Sequence, residues 1–308
     1  MNASFQVVVV QPDGYTHAAA FAEVTETVAC GLRSLGAQVT VAVNRIVVPG
    51  PPPIVFGANL LEPHEVPMLP EGTIIYNLEQ IASSSGWCTP HYLEALRRHA
   101  VWDYSARNIA ALHDAGIGGA EGSHVVHVPI GYVPELSRIP QAGEQDIDVL
   151  FYGSVNERRQ KALDALRASG LRTHVAFNVY GAHRDELISR SKVVLNVHYY
   201  DTSIFELVRV SYLLANRKAV VAEYHEGTEI DDDIRGGVCL AAYDDLVAAC
   251  QGLVADGARR RQLEDEGYRR MAARDERMYL SDALAATSRQ LCAVTPSSNP
   301  CPTSGQRT

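Results

Sequence analysis

The sequence predicts an α/β protein in which two similar domains face each other across a cleft. Short β-branched runs alternate with helix-like stretches along most of the 308 residues, which is the pattern of a parallel sheet. A polar stretch at 137–145, containing Pro140 and Gly143, interrupts the pattern, which then begins again. The length accommodates two domains of ordinary size, each with its own core.

The first half reads as strand, helix, strand within its first 45 residues. The run at 6–10 is continuously β-branched, as expected of a strand buried on both faces. It breaks at Pro12-Asp13-Gly14, and Gly36 ends the helix that follows. The predicted strands are 6–10, 38–43, 53–55, 73–77, 100–104 and 124–128, and the predicted helices are 18–35, 90–98 and 106–115. The strand at 53–55 is the weakest of these because prolines flank it.

The second half repeats the pattern. The predicted strands are 148–152, 174–180, 192–198 and 219–222, and the predicted helices are 158–168, 184–191, 205–216, 258–274 and 280–292. We expect a first domain at 1–140, a second domain at 141–280, a helix at 281–294 that packs back on the first domain, and a disordered Pro- and Ser-rich tail at 295–308. Ligands of open α/β sheets bind beyond the carboxyl ends of the strands, so two such domains predict a ligand cleft.

Composition and charge exclude several classes of function. The formal net charge of −9 disfavours a nucleic-acid backbone or an anionic membrane as the main partner. The six cysteines include no Cys-x-x-Cys pair, which argues against a zinc ribbon or a disulfide framework. No apolar run approaches the roughly 20 residues of a membrane span, and the N-terminal apolar run is too short for an export signal. We therefore expect a cytoplasmic protein without an integral membrane segment.

The segment 148–161 is the strongest local indication of a phosphate site. An apolar strand leads into a turn at Gly153 and Ser154. The helix that follows carries basic residues in its first turns, namely Arg158, Arg159 and Lys161. Cations at a helix N-terminus oppose the helix dipole, and a bound phosphate would relieve that conflict because amides and guanidinium groups could both bind it. The alternative is a solvated helix that happens to carry three basic residues.

A second strand-to-helix turn follows the strand that ends near His198. The next helix would be capped by Thr202 or Ser203. Glu206 and Arg209 lie three residues apart and so share one face near the start of this helix. A glutamate at the carboxyl edge of a sheet can accept two hydrogen bonds from a ribose diol. The alternative is a surface ion pair, worth a few tenths of a kcal/mol.

The segment 205–223 reads FELVRVSYLLANRKAVVAE, a glutamate-bearing helix, a short turn and an apolar strand. Together with the strand at 193–196, the Val-Tyr-Gly at 179–181 and the segment from Asp148, it resembles the donor-binding half of the GT-B glycosyltransferases. The resemblance covers roughly half the chain. It implies two facing Rossmann-like domains with a deep interdomain cleft. It also implies transfer of a sugar from a nucleoside diphosphate sugar, which is a co-substrate, and no further cofactor. The acceptor would be a glycan, a lipid-linked sugar, a natural product or a protein.

The same resemblance implies roles for individual residues. Glu206 would hold the nucleotide ribose, and the strand end at 179–181 would border the base. The diphosphate would contact Ser154, Arg158 and Arg159. The candidate donor-binding residues are Gly153, Ser154, Arg158, Arg159, Tyr180, His198, Ser203, Glu206 and Arg209.

The chain also departs from the pattern of that family. Many retaining members carry two glutamates eight positions apart, whereas Glu206 has no such partner. Asn216 and Lys218 stand where Gly and Pro are common. Both the inverting and the retaining outcome therefore stay open.

The first domain would bind the acceptor, and an inverting transferase needs a general base there. Asp13 and His17 follow the first strand at the end that should face the cleft, and Glu79 follows the strand at 73–77. These three residues are the catalytic candidates. The alternative for Asp13 is that Asp13-Gly14 is simply a turn.

No metal site is expected. His124 and His127 lie three apart on a strand, so their side chains point to opposite faces. The acidic run at 229–233 matches no metal-binding loop, and we interpret it as a solvated turn. GT-B enzymes generally stabilise the leaving group with cations and helix amides, a role that Arg158 and Arg159 would fill.

Two rival functions are compatible with the same residues. One is a nucleotide-sugar epimerase, which acts on the sugar ring and needs no second substrate. The other is a nucleotide-sugar-binding protein of the same fold without turnover.

Overall fold

A computed structural model describes residues 3–81, 86–118, 124–199 and 204–294, with the side chains of the last helix described as far as Arg289. The described chain forms two parallel β-sheets, one in each half, with helices between the strands. This confirms the predicted α/β class with two domains. Ser203, Thr202 and the tail at 295–308 lie outside the described residues.

The first domain contains a six-stranded sheet. Its strands are β1 (Ser4–Val9), β2 (Gln38–Val43), β3 (Pro53–Phe56), β4 (Ile74–Asn77), β5 (Ala100–Asp103) and β6 (Val125–His127), and its helices are α1 (Ala22–Ser34), α2 (Pro90–Arg98) and α3 (Ala106–Asp114). The strand order is β2-β1-β3-β4-β5-β6, and every neighbouring pair is parallel.

The second domain contains a five-stranded sheet. Its strands are β7 (Ile147–Tyr152), β8 (Thr173–Ala176), β9 (Ser191–Asn196), β10 (Ala219–Glu223) and β11 (Cys239–Ala241). Its helices are α4 (Glu157–Ala168), α5 (Gly181–Arg190), α6 (Leu207–Ala215), α7 (Asp232–Arg235), α8 (Leu246–Ala255) and α9 (Gly257–Ala272), and α10 (Glu276–Val294) follows them. The strand order is β11-β10-β9-β7-β8, again with parallel neighbours.

The central strands are buried on both faces, because helices cover each sheet on two sides. Val7, Ile54 and Phe56 in the first sheet are fully buried, as are Val149 and Val193 in the second. This accounts for the continuous β-branched runs in the sequence, since a strand between two helical layers has no polar face. Pro53 is tolerated in this central strand because it is the first residue of β3.

The helix α10 returns to the first domain and packs against α1 and β6. It approaches so closely that a Cβ on Gly31 of α1 would lie 2.7 Å from Leu280 Cδ1. The indole Nε1 of Trp102, in β5, donates to Thr287 Oγ1 at 3.0 Å. The helix α10 thereby ties the second domain to the core of the first.

Two predicted elements are shorter in the structure, each for a local reason. The strand predicted at 174–180 ends as β8 at Ala176, because the chain turns at Asn178, which has a φ of 58°. The helix predicted at 205–216 begins as α6 only at Leu207, because Glu206 has a ψ of 58°, outside the helical range. The amide of Phe205 donates to the carbonyl of Glu229 at 3.0 Å, which holds the segment before the helix. Glu206 is the N-cap position of α6, without a side-chain capping bond.

The interpretation of 229–233 as a solvated turn is wrong. The carboxylate of Glu229 accepts from Ser105 Oγ at 2.5 Å, across the domain boundary. Asp231 and Asp233 both pair with Arg274, at 2.8 and 2.6 Å. The acidic run therefore joins elements of the fold, which the sequence pattern alone does not reveal.

Candidate active-site cleft

A cavity of about 500 Å³ lies between the two domains. Its lining comes from segments that directly follow β1, β4, β5, β7 and β8, and from the start of α6. The carboxyl ends of both sheets therefore meet at one cleft, where ligands of open α/β sheets bind. An adjoining cavity of about 620 Å³ shares Gln80, Trp87, Ser154, Glu206 and Arg209 with the first.

Glu206 lies at the junction of the two cavities and belongs to a hydrogen-bonded cluster. Its Oε2 accepts from Asn196 Nδ2 at 2.6 Å, and its Oε1 lies 3.2 Å from His198 Nδ1. Burial favours the neutral form, but the bond from His198, with help from Asn196 and Arg209, holds the pKa of Glu206 below its usual value. Glu206 is therefore an ionised acceptor at neutral pH that lines both cavities.

His198 is the partner that makes this possible. Burial by itself would lower the pKa of its imidazole, but the adjacent Glu206 and Glu223 carboxylates outweigh burial and raise it. The backbone amide of His198 also donates to Glu223 Oε2 at 3.1 Å. His198 holds Glu206 through the contact at Nδ1, and it is absent from the described lining of both cavities.

Arg209 is the cation that both cavities expose. Its Nη1 donates to Asn196 Oδ1 at 3.1 Å, and its guanidinium lies 5.3 Å from the centre of the Tyr152 ring. Within the described part of the chain, no carboxylate forms an ion pair with it. Gly153 makes room for Arg209, because a Cβ there would lie 2.9 Å from Nη2, and its φ of 130° is in the region that favours glycine.

Arg159 is buried and mainly supports the backbone of the site. It donates to the carbonyl of Val197 at 2.9 and 2.5 Å and to the carbonyl of Ser154 at 2.8 Å. Burial and the nearby Arg209 lower the pKa of Arg159 to about 10, so it stays charged at neutral pH. Its guanidinium lines the second cavity, 4.0 Å from Glu206.

Arg158 is not brought to the lining of either cavity. Its guanidinium pairs with Glu223 through both nitrogens and stacks 4.0 Å from the centre of the Tyr243 ring. Lys161 pairs with the exposed Glu157 at 2.8 Å. The unfavourable placement of cations at the start of α4, which predicted a phosphate, is therefore relieved within the protein: Arg158 and Lys161 pair with carboxylates, and Arg159 donates to backbone carbonyls.

Three of the four remaining donor-site candidates line the cleft, and the fourth, Ser203, lies outside the described residues. Gly153, Ser154 and Tyr180 line the cleft. Tyr180 precedes α5, and its hydroxyl lies 2.8 Å from Nδ1 of His17 in the first domain. A parallel contact joins Thr16 Oγ1 to Asn178 Oδ1 at 2.5 Å. These two contacts bridge the domains at the edge of the cavity.

Of the three catalytic candidates, His17 and Glu79 line the described cleft and Asp13 does not. Asp13 lies in an exposed turn closed by the bond from Tyr15 N to Pro12 O at 3.0 Å, and it is absent from the described cavity lining. His17 lines the cleft, with its ring centre 5.3 Å from those of Tyr15 and Phe177.

Glu79 also lines the cleft, from the first domain. Burial raises the pKa of Glu79 to about 7, against a weak opposing bond of 3.4 Å from Asn59 Nδ2. A carboxyl group that titrates near neutral pH is suited to accept and release a proton.

Sequence reasoning missed the residues that hold Glu79 in place. Asp103 is fully buried, and its Oδ2 accepts from Asn77 Nδ2 at 2.6 Å while its Oδ1 accepts from Ser105 N at 2.9 Å. Asn77 and Asn108 both donate to the carbonyl of Glu79, at 3.0 and 2.8 Å. The signal in the sequence was that Asn77 ends the predicted strand at 73–77 and that Asp103 is the last residue but one of the predicted strand at 100–104.

The structure also shows a structural role for Asn216, which departs from the family pattern. Its Oδ1 accepts from the amides of Arg138 and Ile139, both at 2.8 Å, and its Nδ2 donates to the carbonyl of Leu136 at 2.8 Å. Asn216 therefore fixes the segment that connects the domains. Lys218 is buried and donates to backbone carbonyls at 3.0 and 3.2 Å, which makes it a structural residue.

The two histidines of the β6 region also have structural partners. Nε2 of His124 lies 2.8 Å from the carbonyl of Leu96, and Nε2 of His127 lies 3.2 Å from that of Tyr104. Among the described residues, no three His, Cys, Asp or Glu side chains are grouped so as to hold a metal ion. In the same residues, every helix is too short or too polar to cross a bilayer.

Solved structures with this arrangement cover nearly the whole chain. A trehalose 6-phosphate synthase from Burkholderia multivorans aligns with 96% of this chain and 100% of its own, at a TM-score of 0.60 and 12% identity. WaaG, a glycosyltransferase involved in lipopolysaccharide biosynthesis, aligns with 92% of this chain and 99% of its own, at a TM-score of 0.56 and 12% identity. The chain has the GT-B fold. This confirms the two-domain architecture and the resemblance to GT-B glycosyltransferases.

Other comparisons add less. The protein HepE from Anabaena, solved in complex with UDP, aligns with 93% of this chain and 100% of its own, at a TM-score of 0.57 and 11% identity. No family model matches the sequence. Curated relatives include two uncharacterized proteins of Acanthamoeba polyphaga mimivirus, 26% identical over 49% of this chain and 24% identical over 56% of it. The chain spans 48% and 24% of the lengths of these two relatives.

Proposed function

We propose that the protein is a glycosyltransferase that moves a sugar from a nucleoside diphosphate donor to an acceptor hydroxyl in the interdomain cleft. One observation carries this proposal. A single cavity at the carboxyl edges of both sheets joins Glu79, whose pKa is about 7, to Arg209 and the ionised Glu206 of the other domain. The GT-B fold and the UDP complex of HepE support a nucleotide-sugar donor.

The second domain would bind the donor. Arg209 would contact the diphosphate, because it is exposed to both cavities and has no ion pair with a carboxylate of the described chain. Ser154 lines both cavities beside it. Glu206 would accept hydrogen bonds from the ribose diol. This assignment replaces Arg158 by Arg209 as the main phosphate contact, since Arg158 is paired with Glu223.

The first domain would supply the base. Glu79 would take the proton of the acceptor hydroxyl as its oxygen bonds to the anomeric carbon of the sugar. The bond from that carbon to the phosphate oxygen would break, and the diphosphate would leave with the electron pair. Arg209 would stabilise the developing negative charge, as a preorganised cation does in a water-poor site. The donor is the only small molecule besides the acceptor that this scheme requires.

Nucleotide binding tests the donor site. UDP, GDP, dTDP and CDP should be screened by thermal shift, because a ligand that binds the folded state raises its melting temperature. The Arg209→Ala variant should then bind the selected nucleotide at least about tenfold more weakly by calorimetry, because a charge-assisted bond is lost. Arg167→Ala is the matched control, since Arg167 is 47% exposed and pairs with Asp164 on α4. Equal affinity of the Arg209→Ala variant and the wild type would refute the phosphate assignment.

Catalysis is tested by incubating the donor of the selected nucleotide with acceptor mixtures and following release of the free nucleoside diphosphate. Transfer of the sugar, and no isomerisation of it, is the expected result. Isomerised donor would instead support the epimerase. Binding without hydrolysis or transfer would support a protein that binds the nucleotide sugar without turnover.

A further inference from the structure

Glu229 belongs to the second domain, yet its carboxylate binds the first domain. It lies between β10 and α7, and it accepts from Ser105 Oγ at 2.5 Å and from Arg107 N at 3.0 Å. Ser105 is the N-cap of α3. The first amides of a helix have no partner within the helix, and the helix dipole favours an anion there. Glu229 therefore caps α3 from across the domain boundary.

The backbone of Glu229 reaches the donor side of the cleft. Its carbonyl accepts from Phe205 N at 3.0 Å, and Ile204 pairs with Glu229 as a β-bridge. Phe205 directly precedes Glu206. The same residue therefore holds the segment that leads into Glu206 and, through its side chain, the start of α3.

The start of α3 leads in turn to Glu79. The amide of Asn108 donates to Ser105 Oγ at 3.1 Å. The side chain of Asn108 then holds the Glu79 segment from both sides: Nδ2 donates to Glu79 O at 2.8 Å, and Oδ1 accepts from Ile81 N at 2.8 Å. Asp103 fixes the orientation of this amide, because its Oδ1 accepts from Asn108 Nδ2 at 3.2 Å.

These contacts form one continuous path between the two halves of the cleft. Asn108 and Asp103 are 0% exposed, so water cannot replace their bonds without opening the core. A charged acceptor at a helix N-terminus is among the stronger protein hydrogen bonds. The path begins one residue before Glu206 and ends at the backbone of Glu79.

We propose that Glu229 is a positioning residue that keeps Glu79 and Glu206, in different domains, in register across the cleft. The proposal rests on the proposed function, in which one carboxylate binds the donor and the other activates the acceptor. Glu229 itself touches neither substrate. Its removal should loosen the Glu79 segment while leaving the donor site formed.

Hydrogen–deuterium exchange tests the path without any enzymatic assay. In the Glu229→Ala variant, the amide of Ile81 should exchange about tenfold faster or more, because its acceptor, Asn108 Oδ1, is held through Ser105. Amides of β7 serve as an internal control for folding. Asp232→Asn is the matched control in the same acidic run, since the Asp232 side chain is 100% exposed. Unchanged exchange in the Glu229→Ala variant would overturn the proposal.

A second route reaches the same contact from the first domain. Ser105→Ala should accelerate exchange of the same Ile81 amide. The Ser105→Ala/Glu229→Ala double variant should exchange no faster than the faster single variant, since both substitutions interrupt the same path. Glu229→Gln keeps an acceptor oxygen and should restore part of the protection. Independent, multiplying effects of the two substitutions would show that Glu229 does not act through Ser105.

Steady-state kinetics separates this inference from the proposed function. With an active wild type, Glu229→Ala should lower kcat by about tenfold or more and change nucleotide affinity by less than about threefold. An equal loss in nucleotide affinity would instead place Glu229 in the donor site and overturn the positioning role. A wild type without transfer refutes the proposed function alone, because the exchange result does not depend on activity.

Discussion

The raised pKa of Glu79 predicts a linked change in stability and activity. In the unfolded chain this carboxyl titrates near 4.5, and burial in the cleft raises its pKa to about 7. The folded state therefore binds the proton more tightly, so this group costs stability as the pH rises from the lower value through the higher one. At about 1.4 kcal/mol for each unit, the cost above neutral pH is about 3 kcal/mol.

Glu79→Gln removes this titration while keeping a similar shape. We expect the free energy of unfolding of the variant, relative to wild type, to rise by up to about 3 kcal/mol between pH 4 and pH 8. Urea unfolding across that range measures the difference, and the comparison cancels the buried Asp103, whose pKa burial also raises to about 7. The same variant should lose about a hundredfold or more in kcat if Glu79 is the base.

Two outcomes would contradict this account. A stability difference that does not change with pH would mean that Glu79 titrates as an ordinary exposed carboxyl. Wild-type transfer that is independent of pH between 5 and 8, with chemistry rate-limiting, would remove Glu79 as the base. Wild-type kcat/KM should instead rise with pH through about 7, because the ionised form accepts the proton.

Two further predictions concern the walls of the cleft. Gly153→Ala should destabilise the fold by about 1–3 kcal/mol in urea unfolding and also weaken nucleotide binding, because a side chain at this φ is strained and the new Cβ meets Arg209 at 2.9 Å. Wild-type stability in that variant would contradict both the backbone strain at this φ and the close contact with Arg209. Glu23→Ala should destabilise by about 2–4 kcal/mol, because it leaves the buried guanidinium of Arg184, 2.8 Å away, with Asp185 as its remaining carboxylate. A loss below about 1 kcal/mol would show that Asp185 alone satisfies Arg184.

The strands and the helices were predictable because their patterns are local. A run such as 6–10 carries its own evidence, since β-branched residues without a polar face indicate a strand between two helical layers. The turn at Gly153, after β7, was predictable for the same reason. The end of β8 and the start of α6 were not, because Asn178 adopts a positive φ and Glu206 a ψ of 58°, and neither follows from the local pattern.

The sequence by itself determined the α/β class, the repeat of the strand–helix pattern, and the strand-end turns at which Glu79, Gly153 and Glu206 lie. Tertiary structure alone decided which charges face the cleft. Arg158 and Arg209 look equivalent in sequence, but Glu223 neutralises the first and no carboxylate of the described chain pairs with the second. The physical reason is that burial and partners determine what a charged group can bind. A long side chain finds its partners in space, on strands far away along the chain.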